Sequence, residues 1–88
     1  MIRRRVVVHR LVQGVFFRDS VRRRALTASV AGWVRNNPDG SVEAVFEGPP
    51  DEVERLVAFT HEGPRGARVD RVETLEEAPE GLGGFVIG

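Results

Sequence analysis

An α+β sandwich of order β-α-β-β-α-β, one antiparallel sheet covered on one face by two helices with a short strand added at the end, is the fold class that this 88-residue chain predicts. Three observations carry it. Two segments repeat apolar residues at three- and four-residue steps, the helical period, and strand-like segments flank each of them. Between the two helices, a pair of such segments is joined by Asn37-Pro38-Asp39-Gly40, with Pro preset for the second turn position and Gly free to take positive φ. A right-handed strand-helix-strand crossover on each side of that hairpin closes into the ferredoxin-like arrangement.

The elements follow in order. Residues 4–12 hold Val6, Val7, Val8, Leu11 and Val12, apolar on both faces as a central strand requires. After Gln13-Gly14, the residues Phe17, Val21, Ala25 and Ala28 share one stripe of a helix running to about Ser29, with Arg22, Arg23 and Arg24 flanking or opposing it. Residues 32–37, with Trp33 and Val34, lead into the turn. The return strand, 41–48, alternates Val42, Ala44 and Phe46 with Glu43 and Glu47, the pattern of a sheet with one wet face. Pro49-Pro50-Asp51 opens a second helix, whose buried stripe is Val53, Leu56, Val57 and Thr60 and whose stop is Gly63-Pro64. In residues 67–76 the positions of Val69, Val72 and Leu75 do not alternate cleanly, so a bulge or an edge strand is expected. A Glu/Gly/Pro-rich loop and a last strand at 85–87 complete what reads as one domain over residues 1–88, without repeat or linker.

Composition narrows the function. A chain of this length buries roughly 60 to 65% of its unfolded surface, enough for a single core. With no cysteine, disulfides, thiolate nucleophiles and sulfur-ligated zinc are excluded. No stretch has the apolar length of a membrane span, and charges occupy the start where a signal peptide has its apolar segment, so a cytoplasmic protein is expected. Small size and a mixed charged surface point to a monomer. The 13 arginines balance 13 carboxylates, but unevenly: residues 1–38 carry nine arginines and one acid, net +8, and residues 39–88 four arginines and twelve acids, net −8. The basic half suits an anionic ligand, while the runs Arg3-Arg4-Arg5 and Arg22-Arg23-Arg24 read as solvated surface. His9 and His61 have no second ligand at a familiar spacing, so neither a metal nor another cofactor is expected.

Two places carry possible chemistry. Val12-Gln13-Gly14-Val15-Phe16-Phe17-Arg18 lies where a strand ends and a helix begins, so backbone N–H groups without intrahelical acceptors gather beside the positive end of the helix dipole. Gly14 lets the backbone curl round a bound anion, and Arg18 presents a planar fork of donors on the side of Val21 and Ala25. The plain alternative is a surface Arg beside a turn Gly. Asn36 shares a face with Val34 by alternation; its amide could orient a water without changing charge, or it could be a turn former like Asn37.

The stretch Val12-Gln13-Gly14-Val15-x-Phe17-Arg18 closely resembles the N-terminal signature of acylphosphatases. Gly32-Trp33-Val34-Arg35-Asn36, followed by Gly40, Val42 and Gly48, looks like their second signature, in the expected order and spacing. The resemblance implies a hydrolase that cleaves the carboxyl-phosphate bond of small acyl phosphates, releasing inorganic phosphate. It implies a phosphate-binding loop of Gln13, Gly14, Val15, Phe16, Phe17 and Arg18, with Arg18 as cationic anchor and Asn36 orienting the attacking water. One departure is Arg10, which stands where the family usually has Gly.

That chemistry fits a site with so few groups. The departing carboxylate has a pKa of about 4, so it needs no general acid near neutral pH. Phosphoryl transfer proceeds chiefly by positioning and charge stabilisation, which an Arg and a ring of N–H groups supply. Two other classes remain open. A single-strand RNA module would stack bases on sheet aromatics, but the first strand has none and Phe46 falls on the helix-covered face, so no nucleic-acid partner is expected. A regulatory domain that has lost catalysis is the other, with Arg10 as its argument.

Overall fold

The computed structural model describes residues 1–10 and 15–88, apart from the side chains of Arg10 and Val15. β1 (Ile2–Arg10), α1 (Val15–Thr27), β2 (Ala31–Asn36), β3 (Val42–Gly48), α2 (Pro50–Glu62), β4 (Val69–Glu77) and β5 (Phe85–Ile87) follow in the expected sequence. Leu11 and Val12, assigned above to the first strand, lie outside the described residues.

The strands form one sheet in the order β4-β1-β3-β2-β5. The first four run antiparallel to their neighbours, and β5 joins β2 in parallel, so the complete sheet is mixed. β4 has both features that its irregular pattern suggested, an edge position and a register shift opposite His9 and Arg10. β1 is central, and Val6 and Val8 point from it into the core beside Val34, Ala44 and Phe46.

Both helices cover that face. α1 buries Phe17, Val21 and Ala25, and α2 buries Val53, Leu56, Val57, Phe59 and Thr60. Phe46 stacks on Phe85 with ring centroids 5.9 Å apart, which ties the short β5 to the core. α1 ends at Thr27, slightly before Ser29, because Ser29 turns left-handed at φ 56 and the Val30 N–H returns to the Ala25 carbonyl at 2.9 Å. That is a Schellman cap with Ser where Gly is usual. β2 depends on Gly32, at φ 144; a Cβ there would lie 1.8 Å from the Val45 carbonyl oxygen.

The far face of the sheet corrects two expectations. Arg3 is 3% exposed and Glu47 1%, so neither belongs to solvated surface. Alternation places Arg3 and Arg5 opposite the core valines, where they meet carboxylates from the neighbouring strands. Arg3 reaches Glu47 at 2.7 Å and Glu77 at 2.8 Å, while Arg5 pairs with Glu77 at 2.7 Å and with Glu43. His9 meets Glu73 at 2.7 Å, while Arg4, on the helix side, pairs with Glu76 at 3.1 Å and with Glu54 of α2 at 3.6 Å. Much of the split between a basic first half and an acidic second half is therefore an ion-pair lattice across β1, β3 and β4. Trp33 adds to it, with Arg5 at 5.4 Å and Arg35 at 4.9 Å from its ring centroid.

Glu47 also fastens the Glu/Gly/Pro-rich loop. Its carboxylate accepts the backbone N–H groups of Glu80 and Gly81 at 3.0 Å and of Leu82 at 3.2 Å. Burial pushes this carboxyl up, but those bonds and Arg3 outweigh it and hold the group at about 2.

Candidate active site

Strand register decides which groups can meet. Val8 pairs with Val42, and Val42 pairs with Asn36, so Asn36 lies two strands across from Val8 on the helix side of the sheet. At about 4.8 Å between neighbours, that is roughly 10 Å. β1 and β2 both end here, and α1 begins at this same end. The fold thus brings the start of α1 and the last residue of β2 to one end of the sheet, as the two motifs require.

At the start of α1, Phe16 is 74% exposed, whereas Phe17 is buried in the core and anchors the helix under its first turn. Gln13 and Gly14 lie outside the described residues. The first turn of α1 carries no acidic residue, while that of α2 has its own Asp51 and Glu52. The first turn of α2 thus supplies carboxylates for its own positive end, and that of α1 supplies none. Arg18 follows half-buried, and its Nε is buried with no hydrogen-bond partner among the described residues. A guanidinium N–H aimed inward without an acceptor is costly unless an anion supplies one.

Asn36 is exposed at the end of β2, immediately before a stiff turn. The Gly40 N–H bonds the Asn37 carbonyl at 3.0 Å, and the Asn37 N–H bonds the Ser41 carbonyl at 2.8 Å. The Asn37 amide donates to Ser41 Oγ at 3.1 Å and to Glu43 Oε1 at 3.2 Å. Asp39 accepts from the Ser41 hydroxyl at 2.6 Å and from its N–H at 2.9 Å, which holds the Asp39 carboxyl below its ordinary range. Asn37 is thus the turn former, and it leaves Asn36 on a well-fixed strand end. Burial pushes Glu43 up, but bonds from Arg5 and Asn37 bring it below the usual carboxylate range. Sequence reading found the turn and Asn37 as its former, but not the bonds from Arg5 and Asn37 to Glu43 that brace it.

Two further expectations can be placed. Phe46 lies buried on the helix side, as its alternation indicated. His9 is engaged with Glu73, and His61 stands in the last turn of α2; among the described residues, no three His, Cys, Asp or Glu gather as a metal would need. No helix among them is long and apolar enough to cross a membrane.

A buried Arg18 Nε and a helix start without acids of its own, at one end of a ferredoxin-like sheet, suit a protein of the anion-handling class. Comparison with known proteins names the branch. The family model for acylphosphatases matches residues 4–87. An acylphosphatase of Thermococcus kodakarensis is 52% identical over 86 residues, covering 98% of this chain and 94% of that protein. One from Rubrobacter xylanophilus is 58% identical over 84 residues, covering 94% and 76%. The crystal structure of the Bacillus subtilis acylphosphatase superposes with a TM-score of 0.93 at 35% identity, covering 100% of this chain and 99% of that one. The chain belongs to the acylphosphatase family. Its activity is that of a hydrolase acting on small acyl phosphates, with phosphate as a product.

Proposed function

We propose that the phosphate of the substrate is held by the backbone of residues 13–18 and the guanidinium of Arg18, with Asn36 orienting the water that attacks phosphorus. The observation that carries this reading is the buried, unpartnered Nε of Arg18 beside a helix start with no acid of its own. In the reaction the water oxygen bonds to phosphorus as the bond from phosphorus to the acyl oxygen breaks. The carboxylate leaves with the electron pair, and the protons of the water pass to phosphate and solvent. A carboxylate leaving group of pKa about 4 needs no acid, and Arg18 with the loop N–H groups stabilises the spreading phosphoryl charge, so the step runs without a metal. The position of Asn36 on the helix side, at the same end as α1, supports its role toward the water.

On this reading the chain works as a single domain and a monomer in the cytoplasm, on small acyl phosphates, with neither nucleic acid nor membrane as partner. The purified protein is expected to hydrolyse benzoyl phosphate in the presence of a chelator. Arg18→Ala and Asn36→Ala should each lose about 10²- to 10³-fold in kcat while keeping the wild-type circular dichroism spectrum. Full rates in both folded variants would overturn the assignment.

A further inference from the structure

A groove lies away from the start of α1. It lies between the helices, with a volume of about 730 Å³, over a floor of Leu56 and Phe59 and under the arginines Arg23, Arg24, Arg55 and Arg65. That volume is within the range of small-molecule sites. Glu52 is the one acid on its wall, so the lining carries four positive charges against one negative in a chain whose net charge is zero.

These arginines differ from those on the far face of the sheet, which are locked into a lattice. Arg23 pairs with Asp19 at 3.0 Å and Arg55 with Glu52 at 2.8 Å, both within one helix and exposed, where such pairs contribute little. Among the described residues Arg24 and Arg65 have no ion pair. The guanidinium of Arg24 lies over the Phe59 ring, 3.9 Å from its centroid. Its outer face is a planar cationic platform for a further aromatic ring, and the remaining arginines are forked donors suited to phosphate oxygens. Helical spacing separates this groove from Arg18. Counting round α1 from the buried stripe of Phe17, Val21 and Ala25, Arg18 falls on one flank, Ser20, Arg24 and Thr27 on the other, and Arg23 opposite the stripe.

We propose that the groove between α1 and α2 is a second anion site, binding a small organic polyphosphate whose flat aromatic body stacks on Arg24 while its phosphates engage Arg23, Arg55 and Arg65. The probe is adenosine triphosphate without magnesium, titrated by calorimetry at low ionic strength, where exposed charges are least screened. Saturable binding is expected. The double variant Arg24→Gln/Arg65→Gln should weaken it at least about tenfold while leaving benzoyl phosphate hydrolysis unchanged and the protein folded at the assay temperature. Arg18→Ala should bind the nucleotide as the wild type does, whether or not that variant loses hydrolysis, so the two sites are tested separately. Loss of binding in Arg18→Ala with retention in the double variant would place the nucleotide at the start of α1 and overturn the proposal. Absence of saturable binding, or equal affinity for inorganic tripolyphosphate, which has no ring to stack, would overturn it as well.

Discussion

Replacing Glu47 by Gln keeps the shape of the side chain and removes its charge from the best-buried ion pair in the described structure. The native carboxylate receives Arg3 at 2.7 Å and three backbone N–H groups at 3.0 to 3.2 Å. Its descent from 4.5 to about 2 corresponds to about 3 kcal/mol of folding stability. The folded-state value is the depressed one, so this contribution is complete above 4.5 and is lost as pH falls toward 2. At pH 7 the variant also leaves Arg3 buried with only Glu77 and the rim carboxylate Glu80 for partners. A loss of about 3 kcal/mol is therefore expected, a large share of the 5 to 15 typical of a domain. Urea unfolding at pH 7, 5, 4 and 3 measures both effects. The wild type should lose stability steeply over the acid range, and the variant, weaker at pH 7, should show a shallower slope. A cost below about 1 kcal/mol at pH 7, or parallel pH profiles, would refute the reasoning, because the pair would then be no more than a surface contact.

Three further outcomes follow from other positions. Gly32→Ala drives a Cβ into the Val45 carbonyl at a positive φ, so thermal unfolding should show a Tm drop of more than about 10 °C. Ser29→Gly removes left-handed strain at φ 56 and should raise stability by about 0.5 to 1 kcal/mol in urea titration; no gain would mean that the Ser side chain compensates the strain. Arg18→Lys keeps the charge but not the planar fork, and kcat/KM on benzoyl phosphate should fall at least about tenfold. A rate within about twofold of wild type would show that charge alone suffices.

Much of this was legible in the residues because it rests on local period and turn chemistry. The Phe17, Val21, Ala25 stripe, the Asn37-Pro38-Asp39-Gly40 turn and the alternation of β3 each reflect neighbours in the chain. Alternation likewise put Asn36 on the helix side with Val34, and helix spacing turned Arg18 inward. What stayed hidden depends on distant partners. Arg3 looks solvated because nothing near it in the chain is acidic; its carboxylates arrive from Glu47, 44 residues away, and Glu77, 74 residues away. Glu47 reads as the wet side of a strand because its other donors are backbone N–H groups of a loop, which composition cannot show. The parallel pairing of β5 escapes for the same reason, since three residues carry too little pattern to choose a neighbour.

The lattice around Arg3 bears on the order in which the molecule can be completed. β1 is an interior strand whose two neighbours, β3 and β4, are both distant from it in the chain. Without Glu77 and the loop at 80–82, β1 has an open edge, Arg3 keeps only Glu47 and Arg5 only Glu43. Contacts of such sequence separation raise the loop-closure cost of completing this side of the sheet. Arg3 and Glu47 thus couple distant parts of the sequence: losing residues 77–82 would leave that pair in place but take Glu77 from Arg3 and three backbone donors from Glu47.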